Sequence, residues 1–238
     1  PVAGRLFPVT TGPRPFSLGA RLALCASLVR KGAALADVGT DHAYLPVFLA
    51  LHGGIRCAVA SDVRPGPLRA AERNVARYGV GDIVSVRLSD GLDAVSPDEA
   101  DDVAVAGMGG ELIAKIVGRA GWLKSPDKRL ILQPMTSAAE LRVFLAREGF
   151  AILREKAVSE DGHVYTAILS AYAPKQVCAG AGTYPYAGGL DGSTEDERRY
   201  LLRQAVSLRK KARGLAWTGK SAEADSFEKI AEELEAMN

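Results

Sequence analysis

The 238-residue sequence predicts an α/β fold: a doubly wound, mostly parallel sheet with an antiparallel terminal hairpin, followed by a small C-terminal helical hairpin. Three observations carry this reading. Short apolar runs alternate with segments of helical period from Leu18 to Arg147, the pattern of βαβ units. The alternation then breaks at two consecutive strand-like runs joined by Asp161-Gly162, a hairpin signal. Beyond Glu195 the apolar residues recur only at steps of three and four.

Leu18, Leu22, Cys25, Leu28 and Val29 keep helical period and lead into a strand over Ala34–Gly39. Ala43–Leu51 reads as a helix and Cys57–Asp62 as the second strand. The next helix opens at Pro65–Pro67, where a missing N–H is tolerated, and stops at Gly79. Ile83–Leu88 and Val103–Ala106 read as strands, Gly110–Gly118 as a helix, Leu130–Gln133 as the fifth strand, and Ala138–Arg147 as a helix ended by Gly149. Phe150–Val158 and Val164–Tyr172 form the hairpin. Leu201, Ala205, Leu208, Ala212 and Leu215, then Phe227, Ile230, Ala231, Leu234 and Met237, mark two helices joined around Gly214–Gly219. The expected division is a loose leader over residues 1–16, the sheet domain over 17–172, a Pro-, Gly-, Ala- and Thr-rich linker over 173–194, and a helical, coiled-coil-like appendage over 195–238. The start at Pro1 reads as a processed or fragmentary end.

Hydrophobic content of 47% against 24% charged residues argues for a soluble globular protein rather than a disordered one. No apolar run approaches the roughly 18 residues of a membrane span. The leader lacks the apolar centre of a secretory signal. Cys25, Cys57 and Cys178 are odd in number and far apart, so free thiols in a reducing, cytoplasmic setting are expected, and no His/Cys cluster has metal-ligand spacing. The net charge of +2 hides a local bias: Arg198–Arg213 holds seven basic residues and no acidic one. Within it Arg198, Arg199, Arg203, Arg209 and Lys210 are candidate phosphate contacts, with a solvated helix surface as the alternative.

Ligands of open parallel sheets bind beyond the carboxyl ends of the strands. The first strand delivers Asp37, Gly39, Asp41 and His42 there. A dinucleotide pyrophosphate wants several glycines and bare amides at this turn. One glycine with two carboxylates instead suits a ligand that carries an ammonium group and no phosphate, which favours S-adenosyl-L-methionine over NAD. His42, at a helix start, reads as a hydrogen-bonding group toward cofactor or backbone rather than a general base. Asp62, 23 residues after Gly39, is placed to accept both hydroxyl protons of a ribose. Asp90 would accept from an adenine amino group while Gly91 lets the ring approach. Ala106, Gly107, Met108 and Gly109 offer a narrow backbone shelf with one soft apolar side chain and no aromatic, which suits a flat ring pressed edge-on toward a methyl donor. Asp41, Met108 and Gly109 are the candidate catalytic residues. Gln133, Pro134 and Asp161 are candidate substrate contacts around the same rim.

A hairpin closing a parallel, Rossmann-like sheet is the arrangement of Class I methyltransferases. With DVGTDHAYLP, VASDVRPGPLRAAERN, LSDGL, VAGMGGELIAKI, LILQP and EDGHVY in this order, the chain resembles the bacterial tRNA (adenine-22-N1)-methyltransferase family over roughly Leu18 to Leu169. The resemblance implies S-adenosylmethionine as methyl donor, tRNA as partner, and N1 of an adenine as acceptor. It places Gly39, Asp41 and His42 at the methionine end of the cofactor, Asp62 at its ribose, Asp90 and Gly91 around its adenine, and Ala106 to Met108 at the transfer site. Asp62 stands where the family often has Glu, Met135 where it commonly has Asn, and the helical region is short. The competing readings are a methyltransferase for another RNA base or a small molecule, and an inactive methyltransferase-fold module that binds RNA.

Overall fold

The computed structural model describes residues 16–177 and 182–237. The leader up to residue 15 and Cys178 lie outside these described residues. In chain order the elements are α1 (Ala20–Leu28), β1 (Ala33–Val38), α2 (Tyr44–Leu51), β2 (Ile55–Asp62), α3 (Pro65–Tyr78), β3 (Val84–Leu88), β4 (Asp102–Gly109), α4 (Gly110–Arg119), β5 (Arg129–Thr136), α5 (Ala138–Arg147), β6 (Phe150–Glu160), β7 (His163–Tyr172), α6 (Tyr184–Ala187), α7 (Glu195–Trp217) and α8 (Ser221–Ala236). One seven-stranded sheet runs β3-β2-β1-β4-β5-β7-β6. β1 to β5 are parallel, and β7 lies antiparallel between β5 and β6. The α/β architecture and its terminal hairpin are those expected from the sequence.

Strand side chains alternate between two helix layers, as the pleat demands. Leu35, Ala104, Ile131 and Ala167 pack with Cys25, Val47 and Val75 from α1, α2 and α3. Ala36, Val103, Val105 and Leu130 pack on the opposite face with Ile113, Ile116, Leu141 and Leu145 from α4 and α5. Cys25 and Cys57 are free, and burial pushes the Cys25 thiol up to about 12.

Three local differences from the sequence reading bear on function. β4 continues past Ala106 to Gly109 and β5 past Gln133 to Thr136, with Met108 opposite Pro134 and Gly109 opposite Thr136. Composition hides this because glycine carries little strand preference, while ladder pairing needs only backbone. Gly214 is helical rather than part of the turn, since α7 runs on to Trp217, and the chain reverses at Thr218–Lys220. Within the stretch expected as a linker, Ala187 and Leu190 are buried with Tyr200, Leu201, Ala205 and Leu234 in a third apolar cluster.

A buried polar knot joins that cluster to the sheet. Arg142 of α5 donates to Glu155 Oε1 of β6 at 2.6 Å, to the Pro185 carbonyl at 2.8 Å and to the Tyr200 hydroxyl at 3.0 Å. Thr166 donates to Glu155 and the Gly189 amide donates to it at 3.0 Å. Burial alone would lower the Arg142 guanidinium's value, yet the facing Glu155 carboxylate raises it well above an ordinary arginine. The helical appendage is therefore seated on α5, β6 and β7 through a charged, fully bonded core.

Candidate active site

The carboxyl ends of β1, β2, β3 and β4 surround a cleft of about 660 Å³. Gly39 and Thr40 donate backbone N–H bonds to the Ser61 carbonyl at 2.8 and 2.9 Å, which pins the turn after β1 onto β2. Gly39 has φ +70°, a left-handed conformation that favours glycine, and a Cβ there would force the Met108 side chain at the end of β4 to move aside. Asp41 and Ala43 also take left-handed conformations at φ 52° and 55°, which swings the chain abruptly from strand to helix.

Asp37 and Asp62 are both buried at the base of the cleft. The Asp37 carboxyl is pushed up to about 6, first by burial and further by the charge of Asp62, while the Thr40 hydroxyl that donates to it works the other way. Asp62 accepts the Arg64 amide at 2.9 Å through Oδ1. Asp41 is exposed at the mouth, 3.6 Å from His42 Nε2. The His42 ring stacks on Tyr44 with centroids 5.2 Å apart, and the Asn74 side chain donates to the His42 carbonyl at 2.9 Å. Asp90 and Gly91 line the far end, where Asp90 also receives Arg119 at 3.0 Å and Gly91 lies on Ile116 at φ +61°. Ala106, Gly107 and Met108 form the wall toward β5.

Several expected site residues stand elsewhere. Gly109 does not line the cleft; it precedes α4 and packs against Thr136. Gln133 is fully buried and unavailable to a substrate: its Oε1 accepts the Gly107 amide at 3.0 Å and Arg21 Nη1 at 2.7 Å, and its Nε2 donates to the Pro134 carbonyl at 3.0 Å. Asp161 sits on the hairpin tip at φ 49° and lines neither this cleft nor the one beside α7. Arg198 is turned back to the Gly192 carbonyl at 2.8 Å, and Arg209 clasps Glu235 at 2.9 Å and Glu228 at 3.4 Å across the helical hairpin. Helical phase puts Arg209 against α8, whereas Arg198 stays exposed and is only bent back to the chain before α7.

Arg21 of α1 is the site residue that sequence reading missed. It reaches the cleft beside Gly107 and is held by Gln133 and by Glu160 at 3.8 Å. No local pattern marks it, because its partners are 112 and 139 residues away.

A second cleft, of about 430 Å³, lies between the end of β5, the start of β7 and α7. Pro134 and Met135 form one side, His163 and Tyr165 another, and Arg203 and Lys211 come from α7. Arg199 reaches Ser159 Oγ at 3.0 Å, while Lys210 stands exposed about two turns beyond Arg203.

The donor set of the larger cleft fits S-adenosylmethionine. Buried carboxylates at the ends of β1 and β2 suit ammonium and hydroxyl groups, the Gly39 cradle leaves room only for backbone contact, and the site lacks the run of free amides a pyrophosphate needs. Among the described residues no group of His, Cys, Asp or Glu is set to hold a metal, and no helix is long and apolar enough to cross a membrane.

Comparison with known proteins points the same way. The methyltransferase-domain family profile matches residues 18–168. The tRNA (adenine(22)-N(1))-methyltransferase of Bacillus subtilis is 38% identical over 153 residues, which are 64% of this chain and 64% of that protein's own length. The crystal structure of the B. subtilis M1A22 tRNA methyltransferase TrmK superposes with a TM-score of 0.83 at 28% identity, over 92% of this chain and 99% of that one. Streptococcus pneumoniae Sp1610 in complex with S-adenosyl-L-methionine gives a TM-score of 0.80 at 32% identity, over 92% of this chain and 100% of that one. With a profile spanning more than half its length and a shared fold over nearly all of it, the chain belongs to the methyltransferase-domain family, in its bacterial tRNA (adenine-22-N1)-methyltransferase branch.

Proposed function

We propose that the protein transfers a methyl group from S-adenosyl-L-methionine to N1 of an adenine in tRNA, at position 22, for which its relative is named. The observation that carries the reading is the acid-lined cleft at the strand ends, closed by the Gly107-Met108 shelf over Gly39. In this reading Asp37, Gly39, Asp41 and His42 hold the methionine end, and Arg21 offers its carboxylate a cation. Asp62 accepts from the ribose, and Asp90 and Gly91 frame the adenine.

When bound, the cofactor supplies a methyl carbon on a cationic sulfur. A neutral adenine carries an in-plane lone pair on N1, so the protein need not remove a proton first. A shelf of glycine backbone and one thioether is in keeping with that: it offers a flat guide for a ring edge and no acid or base. Alignment of this kind is worth about 7–11 kcal/mol. Asp41 stands at the mouth to face the positive charge the ring acquires. The target base must leave its stack to enter; Pro134 and Arg203 line the second cleft, and Arg199 and Lys210 stand exposed on the same helix as Arg203. Folded tRNA as substrate sets the reaction in the cytoplasm.

The test is methylation of a tRNA transcript followed by reverse transcription, which stops at an N1-methylated adenine. A stop at one adenine, abolished when that base is guanine, is the expected result. Methylation that survives the exchange, or a modified base that does not block pairing, refutes the assignment.

A further inference from the structure

Trp217 ends α7 with 92% of its surface in water, the most exposed large apolar side chain among the described residues. It does not stand alone. Counting back from it in steps of four and three gives Arg213, Lys210, Val206, Arg203 and Arg199, all exposed, which helical geometry places on one face. None of these four cations pairs with a carboxylate among the described residues, unlike Arg209, which α8 neutralises. Arg199 donates to a serine hydroxyl and Arg213 to a backbone carbonyl. Nearby, Glu223 in the first turn of α8 is countered by Lys220 at 3.7 Å.

The geometry points to Trp217 as a stacking contact for an unpaired base of the bound tRNA, at the far end of a rail of cations that begins at the second cleft. This rests on the tRNA reading above and extends it to a residue outside the active site. A polyanion fits the rail; a second copy of this chain does not, because a two-fold pairing of this face would set its cations against themselves. A bare indole beside phosphate-binding side chains is the combination by which proteins hold single-stranded bases. RNA duplexes hide their base faces, so the base must come from a loop or bulge. Trp217 lies 14 residues past Arg203, about 21 Å at 1.5 Å per residue. The base it stacks is therefore remote from the target adenine, and only a folded tRNA presents both.

The experiment compares wild type, Trp217→Ala and Trp217→Tyr in steady-state methylation of a full tRNA transcript, with thermal midpoint, cofactor affinity and sedimentation as controls. Trp217→Ala is expected to raise KM for tRNA on the order of tenfold, the scale of one lost base stack, with kcat, cofactor affinity and midpoint unchanged. Trp217→Tyr should restore most of the loss. An unchanged KM in Trp217→Ala beside an active wild type overturns this proposal and leaves the tRNA reading standing. So does a shift from dimer to monomer in that variant with no change in KM. A wild type that neither binds nor methylates tRNA brings down the tRNA reading, and the role of Trp217 with it.

Discussion

Asp37 offers the sharpest test of how the cleft is built. The structure buries its carboxyl beside Thr40 and within reach of the Asp62 charge, raising it from 3.8 to about 6. Between those values the folded protein keeps a proton that the unfolded chain has already lost. The native state then binds more protons, so stability falls as pH rises from about 4 to about 6 and is level above that. At 1.36 kcal/mol per pH unit the full swing is about 3 kcal/mol. Asp37→Asn keeps the shape and an acceptor for Thr40 but cannot ionise. Its stability relative to wild type should therefore climb by about 3 kcal/mol between pH 4 and pH 7, read from urea denaturation at half-unit steps. The same carboxylate should answer to a cationic ligand. S-adenosylmethionine favours the ionised form, so its affinity in wild type should weaken below pH 6, by up to about tenfold per unit, while the Asn variant binds weakly at every pH. Parallel stability curves for the two proteins, or a flat affinity profile in wild type, would show that Asp37 is not the desolvated, cofactor-facing acid described here.

Other consequences are more easily stated. Gly39→Ala forces a left-handed alanine, costing about 1–2 kcal/mol, and drives its Cβ into Met108; calorimetry should show cofactor affinity reduced at least tenfold while the fold survives. Arg142→Met leaves Glu155 buried without its cation and should cost about 3–5 kcal/mol, whereas adding Glu155→Leu should return a large part of that loss in the same urea assay. Replacing Arg203 and Lys210 together by Ala removes two phosphate contacts, so the slope of log Kd for tRNA against log salt should fall by roughly 1.5, with cofactor affinity unchanged.

The chain's local chemistry was legible to the extent that neighbours in sequence remain neighbours in space. Turns at strand ends such as Asp37 to His42 and Ser89 to Gly91 put their acid and glycine within a few residues, and the parallel sheet brings those turns to one edge. The Asp161-Gly162 hairpin and the Pro65 helix start were readable for the same reason. What tertiary packing decided is which side chains at that edge are free. Gln133 looked like a substrate contact until Gly107 and Arg21, remote in sequence, were seen to use its amide. Arg198 and Arg209 belong to the basic run by composition, yet Arg209 is engaged by carboxylates of α8 and Arg198, still exposed, is bent back to the Gly192 carbonyl, leaving Arg199, Arg203 and Lys210 without such partners. Arg21 entered the site only because α1 folds back under the hairpin, 139 residues away along the chain. Sequence spacing carries the residue types a turn presents; long-range closure alone sets which donors and charges remain unspent.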